Sequence, residues 1–177
     1  MLTNQKPIIM NTNNGTKENY SFLAKLLHWS FIFLFAYGIF KQIDNINQLE
    51  DIYLLKFEML FALFFLSFLV FRFFYMTKTQ ETSLPEDTPR SQRLAAKIVH
   101  YSMYICLAAI ACSGMMIGCL FWLGLKDGLL IELVIWVHEF SVSLIYWLIS
   151  IHVIAAIFHR LKNDGVWNSM APFWKEK

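Results

Sequence analysis

Residues 138–159 read HEFSVSLIYWLISIHVIAAIFH, and this stretch decides the fold. It lies within an apolar run from about residue 129 to 160 and carries three histidines, His138, His152 and His159, at intervals of fourteen and seven residues. A hydrocarbon core about 30 Å thick is crossed by ~20 residues of helix, which the run exceeds. It shows no period-two alternation, so a barrel strand is excluded and a helix is the spanning form. At ~1.5 Å and ~100° per residue, His138 and His152 stand about 21 Å apart along the axis and within about 40° of one face. His159 returns to the same stripe at the end of the run. Ionisable groups inside a membrane are costly and by default mark a functional path.

Three more runs are long enough to span: about residues 23–40, 52–75 (with an uncharged stretch from Met59 to Phe71) and 94–120. The segments between them, KQIDNINQLED and MTKTQETSLPEDTPRSQR, are polar, and the last connection turns around Gly124, Lys126, Asp127 and Gly128. The expected fold is all-α, an integral membrane four-helix bundle over residues 21–177, preceded by a disordered polar extension over residues 1–20. That extension is Asn-rich, shows no cleavage site of the signal-peptide kind, and Met10 offers an alternative start. Composition agrees with a lipid environment: 57% of residues are hydrophobic and only 16% charged, against roughly a quarter charged in soluble domains. A net charge of +2 gives no reason to expect a nucleic-acid partner.

Basic residues set the orientation. Twelve lysines and arginines fall on the side of the two termini and the second loop, whereas only Lys41, Lys56 and Lys126 fall on the other. The positive-inside rule then places both termini in the cytoplasm, in a multi-pass protein of a bacterial inner membrane. Trp29, Trp136, Trp167 and Trp174 fall near the expected interfaces, as an aromatic belt requires. Cys106, Cys112 and Cys119 form no C-x-x-C pair and read as small apolar fillers.

All five histidines lie in or at the end of an apolar span. Two imidazoles a leaflet apart on one stripe cannot share a small metal ion, but each can ligate its own haem, with the two haems stacked across the bilayer. Bare-metal transport would want ligands clustered at one depth. Bis-histidine ligation needs partners from other helices at matching depth. For His152 the candidates are His28, in the first run, and His100, which begins the third. For His138 no histidine is available, and Glu58 is the polar residue at the right depth.

The chain resembles the bacterial cytochrome b561 family and the related b-type cytochrome subunits of nickel–iron hydrogenases and formate dehydrogenases over roughly residues 20–173. The resemblance rests on YSFLAKLLHWSFIFLFAYG, on Arg72 closing the second helix, and on HYSMYICLAAIACSGMM. It is most specific in HEFSVSLIYWLISIHVIAAIFHRLKNDGVWNSMAP, with its three spaced histidines and Met-x-Pro ending. It implies that His28 and His152 ligate an inner haem b, that His138 ligates an outer one, and that His159 stands near a quinone site. It further implies Arg72 near the inner haem's propionates, where a guanidinium fork suits a carboxylate. His100 becomes a neighbour of that site or an alternative ligand. The departure is Glu58, fourteen residues before Arg72, where the family has the outer haem's second ligand. Three arrangements stay open: His138 as sole ligand, Glu58 as an unusual sixth ligand, or no outer haem.

The expected function is therefore that of a membrane b-type cytochrome holding one haem b, with a second left open. It would pass electrons between ubiquinone or menaquinone and a periplasmic-side redox protein or small oxidant or reductant such as superoxide. The alternative is an anchor subunit docking a soluble oxidoreductase. Glu139, beside His138, is expected to hydrogen-bond within the bundle or orient a ring.

Overall fold

The computed structural model describes residues 20–80, 83–85, 87–171 and 173–176; the expected extension over residues 1–20 lies, but for Tyr20, outside them. Four long helices follow one another: α1 (Phe22–Phe40), α2 (Ile52–Thr79), α3 (Arg90–Trp122) and α4 (Leu129–Lys162), with a short α5 (Val166–Met170) after them. All four long helices are apolar and long enough to cross a membrane.

Helix ends follow side-chain chemistry rather than the apolar boundaries. The Ser21 hydroxyl accepts from the Ala24 amide at 3.2 Å, and the Asp51 carboxylate accepts from the Tyr53 amide at 2.8 Å, each satisfying an amide that has no intrahelical partner. Between α1 and α2 a 3-10 turn, Ile46–Glu50, tucks Leu49 under the bundle. α2 runs on to Thr79 and α3 begins at Arg90, each about one turn beyond its apolar run. Thr77 and Thr79 bond back to carbonyls of the preceding turn. Arg93 reaches the Thr88 and Pro85 carbonyls, tying the start of α3 to its loop. α4 ends at Asn163 in the left-handed conformation, and Gly165, also with positive φ, lets the chain turn back into α5.

α3 is the central element. It packs against α2 on one side and α4 on the other, while α1 packs on α2. One buried cluster joins Phe31, Phe65, Leu69, Cys106, Leu107, Ala111 and Ile145, and a second, nearer the 3-10 turn, joins Leu49, Leu55, Ile117, Leu120, Phe121 and Ile131. Among the described residues no Cα of α4 comes within 8 Å of α1 or α2, so the bundle is open between α4 and the first two helices. Among the described residues that opening is bridged at the end where α1 begins and α4 ends. There α5 and its tail bridge α4 to α1: Lys25 donates to the Asn168 carbonyl and the Trp29 indole N–H to the Met170 carbonyl, both at 3.2 Å. Large apolar side chains such as Phe33, Trp147 and Phe158 are exposed on the outer surface, as contact with lipid tails demands.

α2 and α3 approach closely at Gly118. A Cβ there would stand 2.5 Å from Met59 Cγ and 3.2 Å from its sulfur. Gly118→Val is therefore expected to destabilise the bundle by about 1–3 kcal/mol through overpacking, read as a lower midpoint in detergent thermal unfolding. Met59→Ala in the same chain should restore part of the loss. An unchanged midpoint in the single variant would show that the two helices are not held this closely.

Candidate functional site

Four helices bring their polar groups to one level near the termini end. α1 contributes His28, α2 Arg72, α3 His100 and Tyr104, and α4 His152. The ring centres of His28 and His152 are 6.4 Å apart, and those of His100 and His152 are 5.0 Å apart. With metal–imidazole bonds of about 2 Å, two facing imidazoles that share one iron have ring centres roughly 6 Å apart. The His28–His152 spacing meets that requirement, whereas the His100–His152 spacing is too short to admit an iron.

Ring protonation follows from the partners. A carbonyl only accepts, so His100 Nδ1, 2.6 Å from the Ala96 carbonyl, carries the proton and is tied to its own helix. A guanidinium only donates, so His28 Nδ1 accepts from Arg72 Nη2 at 2.9 Å. Arg72 Nη1 donates to the Tyr104 hydroxyl at 2.8 Å, and the guanidinium lies against the Phe31 and Tyr104 rings. Its Nε is buried with no hydrogen-bond partner. No carboxylate pairs with Arg72 among the described residues. A buried cation without a counter-ion is strongly unfavourable, so this level of the bundle is short of an anion.

The other level, about 21 Å along α4, is built differently. His138 Nδ1 is 3.0 Å from Ser113 Oγ, which itself donates to the Ala109 carbonyl at 2.6 Å. The hydroxyl hydrogen is thus spent on the carbonyl, and His138 Nδ1–H donates to Ser113. A Cβ at Gly114 would meet the His138 ring at 3.4 Å, so the missing side chain lets the ring lie against α3. Glu58 forms an ion pair with Lys41, at the C-terminal cap of α1, and the Lys41 ammonium lies over the Phe57 and Phe61 rings at 4.6 and 5.0 Å. No hydrogen bond or ion pair joins Glu58 to His138.

His159 belongs to neither group. Its Nδ1 is 2.7 Å from Asp164 Oδ2 across the turn that ends α4, and Lys162 stands 3.8 Å from the same oxygen. Arg160 lies over the Trp167 and Trp174 rings. Sequence reasoning missed Tyr104, Ser113, Lys41 and Asp164. Of these only Tyr104 left a periodic signal, four residues after His100 and so on the same helical face. Among the described residues no three His, Cys, Asp or Glu side chains converge as ligands of a bare metal ion.

The donor set fits haem at the first level. Two imidazole rings stand 6.4 Å apart, centre to centre, a spacing that admits an iron, and a buried guanidinium lacks the anion that a propionate would supply. Neither a search of curated proteins nor one of solved structures gave a match. The family model of prokaryotic cytochrome b561 matches residues 19–173, almost the whole chain. With its four apolar spans and paired intramembrane histidines, the chain belongs to the prokaryotic cytochrome b561 family, whose members are membrane b-type cytochromes of electron transfer.

Proposed function

We propose that the protein carries electrons through a haem b held between His28 and His152, exchanging them with a membrane quinone beside His159 and with a second redox partner. The single observation that carries this reading is the His28–His152 ring pair, 6.4 Å apart, next to a buried Arg72 that has no carboxylate partner among the described residues. Haem, when bound, supplies a one-electron redox couple that no side chain here offers. The chain's own residues do the rest. His28 and His152 supply Nε2 lone pairs. For His28 this requires the tautomer with hydrogen on Nδ1, and Arg72 then loses its acceptor there. A haem propionate would be the anion for this guanidinium, which the Tyr104 hydroxyl holds in place from the other side. His100, fixed to Ala96, packs against the His152 ring and limits its rotation.

Quinone redox change moves protons as well as electrons. Asp164 accepts from His159 Nδ1–H, which fixes the ring and leaves Nε2 to take up or release a proton. The concentration of Lys and Arg toward the termini supports a cytoplasmic placement of this end in a bacterial inner membrane. The reading predicts that His159→Ala keeps the haem absorption spectrum but slows haem reduction by added quinol. The slowing should be roughly 100-fold, as for loss of a positioned acid–base group. Stopped-flow absorbance in detergent or nanodiscs measures it. Loss of haem in this variant would mean that His159, not His28 or His152, is a ligand.

A further inference from the structure

The two levels of the bundle differ in a way that fixes how much cofactor the chain takes. α2 and α4 run in the same direction, from the far end toward the termini. Glu58 precedes Arg72 by fourteen residues, as His138 precedes His152. Each interval covers about 21 Å of helix and returns to within about 40° of the starting face. Glu58 lies toward the far level, on the same helical stripe as the buried Phe65 and Leu69, beside Met59, which meets Gly118 about one turn beyond the Gly114 that meets the His138 ring. The carboxylate that α2 brings to this half of the bundle already has a cation.

Charge accounting separates the levels. Near the termini a buried guanidinium has an orphaned Nε and no counter-ion among the described residues. At the far level every charge and polar atom named above is satisfied by protein: Lys41 by Glu58, His138 by Ser113, Ser113 by Ala109. Met59 fills the notch left by Gly118 beside them. One level needs an anionic ligand and presents two imidazoles to iron, whereas the other needs nothing and presents one. A carboxylate locked to an ammonium would have to break a partly buried ion pair to ligate, at a cost that desolvation makes large.

We infer that the protein holds a single haem, at the His28–His152 level, and that the Lys41–Glu58 pair takes the place of a second one. This rests on the haem reading above. It narrows the function, because a redox partner at the far face would stand about 20 Å or more from the iron with no carrier between. Both electron-exchange partners then meet the haem from the half of the bundle that holds the termini. Glu58 becomes the residue that sets cofactor number.

The test counts haem per chain, by pyridine haemochrome against amino-acid analysis, in protein expressed with excess haem precursor. The unaltered chain is expected to give one. Lys41→Met/Glu58→Gln, which removes both charges without adding an imidazole, should also give one. Lys41→Met/Glu58→His, which supplies a second imidazole at the far level, should give two, with a second midpoint in a redox titration. A value of two in the unaltered chain, or in the Gln variant, would overturn the inference, as would a value of one in the His variant. Should the His variant fail to fold, the counts for the other two proteins still decide. A count of zero in the unaltered chain would instead sink the haem reading itself.

Discussion

His152→Ala is expected to purify without haem. Its Soret absorbance should fall to background while the helical circular dichroism of the bundle persists. The reason lies in the geometry of the opening between α4 and the first two helices. His152 is the one imidazole within reach of both other rings at its level, 6.4 Å from His28 and 5.0 Å from His100. Removing it takes away one ring of the His28–His152 pair, whose spacing is the one among these ring contacts that admits an iron. His100→Ala tests the choice of pair. It removes a ring that packs on His152 but stands too close to it to share an iron, so this variant should retain haem, with at most a broadened low-spin spectrum from a less restrained His152. If His100→Ala loses haem while His28→Ala keeps it, the ligand pair is His100–His152 and the spacing argument has failed.

Arg72→Leu should weaken haem retention by at least tenfold and lower the midpoint potential of whatever haem remains. The guanidinium is buried, has an unpartnered Nε and, among the described residues, bonds to the neutral His28 and Tyr104 and lies against the Phe31 ring, with no carboxylate partner. A charge-assisted bond to a propionate is worth about 1.5–3 kcal/mol, which by itself corresponds to tenfold or more in affinity. A nearby positive charge also stabilises the reduced form, which carries one more electron. Its loss, at roughly 1–2 kcal/mol in a partly buried site, lowers the potential by on the order of 50–100 mV for a one-electron couple. Arg72→Lys keeps the charge but not the fork, so it should recover the potential better than the retention. Equal haem content and potential in Arg72→Leu would show that the arginine serves helix packing alone.

Much of this was legible in the sequence, for identifiable reasons. Spanning helices announce themselves by apolar length, because lipid leaves a chain few alternatives. Hence α1 begins and ends within a residue of the expected bounds. The ends of α2 and α3 were legible only in part, since Thr77, Thr79 and the Arg93 contacts prolong helices into polar sequence. The short α5 was not anticipated, because a five-residue helix follows from the Asn163 and Gly165 turn geometry rather than from any periodicity. The intervals between histidines gave depth and face, and so placed His28 at the level of His152. They gave no azimuth for helices not yet packed, so the proposed choice of His28 over His100 rests on ring distances in the packed bundle.

Pairings made by long side chains were the least legible. Lys41 caps a helix at the far end and looks like a loop lysine. Only folding shows that its ammonium lies over the Phe57 and Phe61 rings and pairs with Glu58. The same holds for Arg72. Its position was suggestive, but the lack of a counter-ion is a property of the packed bundle. Ser113 illustrates the reverse case. Mid-helix serines usually bond the preceding turn, as Ser113 does with Ala109, and nothing in the sequence says that the same oxygen also accepts from His138.

The central claim is that His28 and His152 hold one iron between them. Electron paramagnetic resonance of the oxidised, purified protein tests it most directly, because the spectrum reports the axial ligands. A single low-spin signal characteristic of two imidazoles, lost in both His28→Ala and His152→Ala and kept in His138→Ala, is the predicted result. A high-spin signal in the unaltered protein, or a low-spin signal that disappears with His138 and survives without His28, would contradict it.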